Sequence, residues 1–363
     1  MTMKTVKCAV IGAGWWGTTA HIPALKRHPL AKLVAVHSRD ADKARLVATD
    51  FRVPQACATM KEVLSIEGLE AVVISSTPNV HYPQALAALQ RGLHVLIEKP
   101  MTIKAAESEE LVALAEQQGV HFLVSCPWHY TAHSKEARRL IQSGALGQLK
   151  MISVLMTNFN LGLYRGLSWE EIFGSRPTLQ NSSRPYFTPG RSSYSDPAVA
   201  GGGQIYCQIS HVAAHLALLT ERDPIQVFAR FDNADTVVDV YDTLNIKLEG
   251  GALVSIASTG ATPHSERNYE VRVYGTKGML LMELWKGKME CHLFDGNVTR
   301  YPDLPQADIY PLFAPTENFV DVILGRAENG SPARFGLYAM KVIEAACESA
   351  RTHSSVTLGN SKP

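Results

Sequence analysis

The chain has 363 residues, with 35 basic and 34 acidic side chains and a formal net charge of +1. That length can bury a large core and form two domains. The near-neutral balance without basic runs argues against nucleic acid as a partner, and no apolar run is long enough to cross a membrane.

The first element is an apolar strand, Val6 to Ile11. It runs into Gly12-Ala13-Gly14-Trp15-Trp16-Gly17, a match to G-x-G-x-x-G, and then into helix-like sequence through Arg27. The first glycine allows a tight turn, the second lets backbone approach a pyrophosphate, and the third lets helix and strand pack closely. A second strand, Lys32 to Val36, completes the context of a dinucleotide site. It ends in His37-Ser38-Arg39-Asp40. Sites for NAD usually carry an acid here to hold the ribose hydroxyls. Ser38 occupies that place and Arg39 follows, a pair suited to a 2′-phosphate, so the cofactor is expected to be NAD or NADP with NADP favoured. Two alternatives stay open: Arg39 stacking on the adenine, and Asp40 reaching back to the ribose.

The alternation continues. Ala41–Phe51 reads as helix, Ala71–Ile74 as a buried strand ending in Ser75-Ser76-Thr77-Pro78-Asn79, and Val80–Arg91 as a helix closed by Gly92. Leu93–Pro100 is a short buried strand, with Val95, Leu96 and Ile97 in a row, stopped by Glu98, Lys99 and Pro100. A helix near Ile103–Gln118, closed by Gly119, and a strand Phe122–Ser125 follow. This βαβα order predicts a doubly wound parallel sheet over residues 1–126. Glu98 and Lys99 then lie at the carboxyl edge of a parallel strand, where ligands bind in such sheets; taken alone they would be a surface ion pair.

After Cys126–Trp128, the expected hinge, the texture changes. Trp128-His129-Tyr130 leads a predicted helix that ends near Gly144. The strands Leu244–Leu248, Leu253–Ala257, Tyr269–Tyr274 and Met279–Leu284 follow, some with period-two alternation, and an amphipathic helix near Arg334–Ala350 comes last. Residues 127–363 are thus expected to form an α+β domain with a large open, mainly antiparallel sheet. About residues 160–200 form an irregular insertion carrying Tyr164, Arg165, Trp169, Arg176, Arg184, Tyr186, Arg191 and Tyr194. Aromatic rings stack on sugars and guanidinium forks suit anions, so Arg165, Arg184 and Tyr194 are candidate substrate contacts; an oligomer contact or a solvated loop is the alternative.

Gly201-Gly202-Gly203-Gln204-Ile205-Tyr206-Cys207-Gln208-Ile209-Ser210-His211 opens an apolar helix. At helical spacing Cys207, Gln208 and His211 share a face. His215 reads as the buried core histidine of this helix. No carboxylate stands on the stretch to complete a metal site, so no metal is expected. The scattered cysteines (Cys8, Cys57, Cys126, Cys207, Cys291, Cys347) read as free thiols of a reducing cytoplasm. Met1–Lys7 lacks the apolar core of a signal peptide.

Glu98-Lys99-Pro100 after a G-x-G-x-x-G domain, then a glycine triplet and a histidine, resembles the glucose–fructose oxidoreductase / inositol dehydrogenase family. Thr77-Pro78-Asn79 with His81, Ser143 to Gly147, and Tyr274-Gly275-Thr276-Lys277-Gly278 extend the resemblance along the chain. It implies an NAD(P)-dependent oxidoreductase of a sugar, sugar derivative or cyclic polyol, forming a homodimer or homotetramer through the open sheet. Lys99 and His211 would relay the proton, and Glu98, Thr77, Asn79 and His81 would serve the cofactor with Gly12, Gly14, Trp15, Trp16, Gly17, Ser38 and Arg39. Trp128, His129, Tyr130, Cys207 and Gln208 would line the substrate. Many relatives carry aspartate where this chain has Cys207; a thiol cannot raise imidazole basicity as a carboxylate does, so Lys99 is expected to carry more of the proton transfer. The resemblance also admits a redox-neutral glycosidase that oxidises, eliminates, hydrates and reduces, acting on an anionic glycoside such as a sulfoquinovoside. A cofactor-binding regulator is the third option, disfavoured by the presence of both Lys99 and His211.

Overall fold

The computed structural model describes residues 4–174 and 186–359. The chain divides into two compact units. One comprises Met1–Ser125, Leu167–Ser193 and Leu312–Leu337; the other comprises Cys126–Gly166, Tyr194–Pro311 and Tyr338–Pro363. The chain passes from one to the other at Ser125/Cys126, beside the expected hinge. The division differs from a second domain running unbroken over 127–363, because 167–193 and 312–337 return to the first unit.

The return has a packing cause. Phe319 and Val320 join the core built from Val6, Val10, Ile22, Val36, Val73 and Leu96, and Tyr186 and Phe187 pack against that core from the insertion. These apolar side chains bury more surface there than in solvent, and burial of each such ring or branched chain is worth about 1.5–3 kcal/mol.

In the first unit, β1 (Val6–Ile11), β2 (Ala31–His37), β3 (Gln55–Cys57), β4 (Ala71–Ile74), β5 (His94–Ile97) and β6 (Phe122–Val124) form one sheet in the order β3-β2-β1-β4-β5-β6. All five pairings are parallel. β1, β4 and β5 are buried nearly throughout, as strands covered on both faces must be. The strand order reverses direction at β1/β4, which is where open sheets of this kind bind ligands. Three loops leave that carboxyl edge: Gly12–Gly17, Ser75–Asn79 and Glu98–Pro100. The edge strand β3 is three residues long and largely exposed, which left it without an apolar signal in the sequence.

In the second unit, β7 (Leu149–Thr157), β8 (Pro224–Asp232), β9 (Tyr241–Leu248), β10 (Leu253–Thr259), β11 (Asn268–Gly275), β12 (Gly278–Glu283), β13 (Lys288–Leu293), β14 (Val298–Arg300) and β15 (Val356–Thr357) form a sheet in the order β14-β13-β12-β11-β7-β10-β9-β8-β15. β7 and β10 pair in parallel and the other pairings are antiparallel. β9 and β11 alternate buried and accessible residues, so one face packs and the other is open. Met151, Leu155, Tyr241 and Leu253 are exposed.

Two predicted helices begin differently from expectation. Pro127–Tyr130 is a separate 3₁₀ turn, and the helix proper, Ala132–Gln142, starts after Thr131, whose hydroxyl accepts from Ser134 N as an N-cap. The segment after the glycine triplet starts as a π-turn, Ile205–Ile209, before the α-helix Ser210–Thr220. π-turns of this kind are common at functional sites.

Candidate active site

The glycine motif of the first unit sorts into packing and open positions. Gly12 has φ +95°, and a Cβ there would lie 2.5 Å from the Ser75 and Ser76 backbone. A Cβ on Gly17 would lie 2.4 Å from Gly12 O. A Cβ on Gly14 would meet nothing within 4 Å. Two glycines are therefore forced by packing, and the middle one borders open space of the kind a phosphate occupies. Thr18 Oγ1 donates to Gly14 O at 2.7 Å and fixes the turn.

Glu98 is buried at the end of β5. Its Oε1 lies 2.9 Å from His21 Nε2, and His21 Nδ1 lies 2.7 Å from Thr316 Oγ1. With the carboxylate as acceptor, His21 Nε2 donates to Glu98, and Nδ1 pairs with the Thr316 hydroxyl. Burial alone would raise the Glu98 pKa. The His21 hydrogen bond and charge, then Ser125 and Lys99, outweigh it and hold the carboxyl below its usual range. His21 was not singled out from the sequence. The available signal was a histidine four residues past the last motif glycine, which by itself reads as helix surface.

Lys99 is half-buried beside Glu98. His81 is fully buried, with Nδ1 2.9 Å from Pro100 O and Nε2 3.1 Å from Ser76 O. Burial lowers its pKa despite those carbonyls, and a neutral ring donates to one of them at a time. It therefore bridges the Ser76 and Pro100 loops, at the strand edge where the resemblance expects the cofactor. Thr77 Oγ1 donates to Asn79 Oδ1 at 2.8 Å, and Asn79 is exposed. Ser38 is half-buried and Arg39 exposed at the end of β2. Asp40 Oδ1 accepts from Asp42 N at 3.0 Å and Lys43 N at 3.1 Å, capping the next helix.

The insertion contributes to this unit as well. Trp169 packs on Trp15 of the glycine motif, centroids 5.1 Å apart, and on Phe173 at 4.4 Å. Trp15 also meets Trp16 edge to face. Arg191 pairs with Glu171 at 2.8 Å, and Tyr186 donates to Asp50. Arg176 and Arg184 lie outside the described residues.

In the second unit, His211 is buried on the helix Ser210–Thr220 and meets Trp128 edge to face, centroids 5.0 Å apart. Trp128 also contacts Tyr269, Trp285 and Tyr310, each within 5.1 Å. This ring cluster fixes the Trp128 plane and so the imidazole packed on it. His215 is the core histidine expected: Nε2 lies 3.0 Å from Ser134 Oγ, Nδ1 lies 3.0 Å from Tyr269 OH, and burial pushes its pKa down to about 3. His129 stacks on His215 and is likewise held well below the usual range, by burial first and then by His215 and Arg138. It is a packed neutral ring, and Tyr130 ends the same turn half-buried.

Gln208 is buried, and its Nε2 donates to Cys207 Sγ at 3.4 Å. Cys207 packs with Tyr164, Val238 and Val240, with Tyr194 against the same cluster. Arg165 is placed at the surface: its guanidinium forks onto Asp235 at 3.0–3.2 Å, both side chains largely exposed. Arg165 is a candidate substrate contact from the sequence; Asp235, its partner in the structure, is remote in sequence. Among the described residues no group of three or more His, Cys, Asp or Glu could hold a metal ion. No helix among them is long and apolar enough to cross a membrane.

Comparison with known proteins covers both units. Residues 6–126 match a family model described as an oxidoreductase family with an NAD-binding Rossmann fold, and residues 134–281 match the GFO/IDH/MocA C-terminal domain. An uncharacterized oxidoreductase of Synechocystis sp. is 30% identical over 76% of this chain and 70% of its own length. A D-xylose 1-dehydrogenase (NADP(+)) of Haloferax volcanii is 26% identical over 96% of this chain and 98% of its own. Levoglucosan dehydrogenase, solved with NADH, superposes with a TM-score of 0.82 at 17% identity, covering 98% of this chain and 100% of the other.

Proposed function

The chain belongs to the GFO/IDH/MocA (glucose–fructose oxidoreductase / inositol dehydrogenase) family of oxidoreductases, and on that premise we propose that it oxidises a ring hydroxyl of a sugar, sugar derivative or cyclic polyol, or reduces the matching ketone. The observation that carries this reading is the glycine motif, closed by packing at Gly12 and Gly17 and open at Gly14, on the same strand edge as Glu98 and Lys99. The residues fit a dinucleotide: Gly12–Gly17 present backbone to the pyrophosphate, Ser38 and Arg39 stand at the adenosine ribose end, and Thr77, Asn79 and Glu98 serve the nicotinamide side. The bound nicotinamide supplies hydride chemistry at the reacting carbon.

Lys99 holds and moves a proton at the reacting oxygen. A half-buried ammonium at the carboxyl edge of the sheet, beside the buried Glu98 carboxylate, is placed to donate to that oxygen. His211 acts as general acid or base, its ring plane set by Trp128. Gln208 supplies a neutral hydrogen bond to substrate where Cys207 offers no carboxylate. Ser38 and Arg39 stand at the strand end where sites for NAD usually carry an acid, which supports NADP. The NADP(+)-dependent xylose relative agrees with this; the levoglucosan enzyme, named with NADH, supports NAD.

A second reading, the redox-neutral glycosidase, is favoured by one contact. Trp169, packed at a tilt on Trp15, lays the insertion against the glycine motif, an arrangement suited to a retained cofactor. Native mass spectrometry of the freshly purified protein separates the two. Retained dinucleotide, with aglycone released from glycosides and no net reduction, supports the glycosidase. An empty site filled by NADP, with net absorbance change on a panel of sugars and polyols, supports the dehydrogenase. Exposed Met151, Leu155, Tyr241 and Leu253 on the second sheet support self-association through that face in a cytoplasmic enzyme; light scattering reading a monomer would remove that part.

A further inference from the structure

The glycine triplet ahead of His211 is held by one residue from the link between β8 and β9. Asp239 Oδ1 accepts from Gly203 N at 2.8 Å, Oδ2 accepts from Ile205 N at 2.6 Å, and its carbonyl accepts from Gln204 N at 3.0 Å. A Cβ on Gly203 would lie 2.0 Å from that carbonyl oxygen, so no side chain fits there. Asp239 is thus an acceptor on every polar atom it presents to the turn.

Asp242, on β9, is 1% exposed. Neither of its carboxyl oxygens has a hydrogen-bond donor among the described residues, and the Asp239 carboxylate, three residues away in the chain, acts on it. Two buried carboxyls that interact with no cation between them hold one proton between them. Asp239 already accepts twice, so the donor is Asp242.

We propose that Asp242 is a carboxylic acid in the working protein, and that the proton it shares with Asp239 positions the Gly201–Gly203 turn and hence Gln208 and His211. The role given to His211 rests on the function proposed above; the proton and the turn do not. Asp239 and Asp242 are positioning residues, acting through the backbone of the π-turn. Burial, then the Asp239 charge and the hydrogen bond to it, raise Asp242 well above the carboxylate range. Burial raises Asp239 as well, against the two backbone donors. The other titratable groups facing the pair are the Cys347 thiol, pushed up to about 12 by burial and by both carboxyls, and the Tyr164 phenol. Among the described residues no cation pairs with either acid.

The sign of the pH dependence follows. A carboxyl whose folded pKa lies above its unfolded value contributes stability that is full below the unfolded pKa and falls as pH rises toward the folded one. Asp242→Asn keeps a donor toward Asp239 and does not titrate. The test is thermal unfolding of the full chain from pH 5 to pH 9 as wild type, D242N and D239N. In parallel, infrared spectra of protein labelled with carboxyl-¹³C aspartate would read the acid band, and His211 ring signals would be followed in histidine-labelled protein. Wild type should show a protonated-acid band at pH 7 that D242N lacks. The melting temperature of D242N should gain on wild type by about 5 °C or more between pH 5 and pH 9. D239N should melt lower at each pH and shift the His211 signals, while D242N leaves them in place. Parallel melting curves for wild type and D242N, no acid band in wild type, or His211 signals unmoved in D239N would each overturn the proposal. The infrared arm on wild type needs no variant to fold. None of these readouts uses substrate or cofactor, so a protein that passes them and turns over no sugar sinks only the functional reading.

Discussion

Glu98 in the first unit and Asp242 in the second are both buried carboxyls close to residues assigned to chemistry, and they are held in opposite states. Glu98 is surrounded by donors: His21 at 2.9 Å and Ser125, with Lys99 beside it, and its pKa falls. Asp242 is acted on by another carboxylate and has no donor among the described residues, and its pKa rises. Both pay the same kind of desolvation penalty, so burial does not decide the outcome; the neighbours' hydrogen bonds do. One unit thus favours the charged form of its carboxyl at the strand edge, and the other favours the neutral acid under its glycine turn.

The largest expected effect separates Lys99 from the carboxylate beside it. Lys99→Met should lower hydride transfer by about 10³-fold or more, the range lost with a positioned proton donor, while dinucleotide binding persists. Stopped-flow absorbance and cofactor titration would read the two quantities; near-normal turnover would remove Lys99 from the mechanism. The next effect tests the ionised state of Glu98. His21→Ala leaves that carboxylate buried without its principal partner and should cost about 3–5 kcal/mol of stability at pH 7, measured by denaturant unfolding. Because the Glu98 pKa is depressed in the fold, its contribution is present above the ordinary carboxylate pKa and lost as pH falls through the folded value. The gap between His21→Ala and wild type should therefore narrow toward acid pH, opposite in sense to the Asp242 dependence. A gap constant with pH would mean that His21 only fills space. A smaller effect comes from adding a carboxylate where neither rule of burial applies. Ser38→Asp, at a half-buried strand end, should ionise freely and weaken NADP by about tenfold or more relative to NAD, by repulsion of the 2′-phosphate. Equal losses for both cofactors in calorimetry would end the case for a phosphate there.

The comparison also explains what was legible in the sequence. The parallel strands β1, β4 and β5, the glycine motif and the Glu98-Lys99-Pro100 edge announce themselves through contiguous residues, because apolar runs and glycine spacing are local signals. β9 to β12 were visible for the same reason, through period-two alternation. What holds Glu98 and His211 was not visible. His21 with Thr316, Trp128 with Tyr269, Trp285 and Tyr310, and Asp239 with Gly203 are partners brought together only by folding. Asp239 and Asp242 sit in a stretch that reads as an ordinary polar turn and strand. The return of 167–193 to the first unit was equally hidden, since Trp169 and Tyr186 carry no mark of which surface they pack on.

Arg165 gives the smallest effect and the sharpest check on that last point. The sequence placed it among substrate contacts because a guanidinium in an aromatic insertion suits an anion. In the structure it forks onto Asp235, largely exposed, and the pair lowers the Asp235 pKa through that hydrogen bond. Solvent-exposed pairs of this kind contribute little, since water screens the charge and two mobile side chains must be ordered. Arg165→Ala should therefore change kcat/KM on the best sugar of the panel by less than about twofold, with an unchanged melting temperature. A selective rise in KM for an anionic substrate, with kcat and melting temperature intact, would show that Asp235 releases the guanidinium when substrate arrives, and would return Arg165 to the binding site.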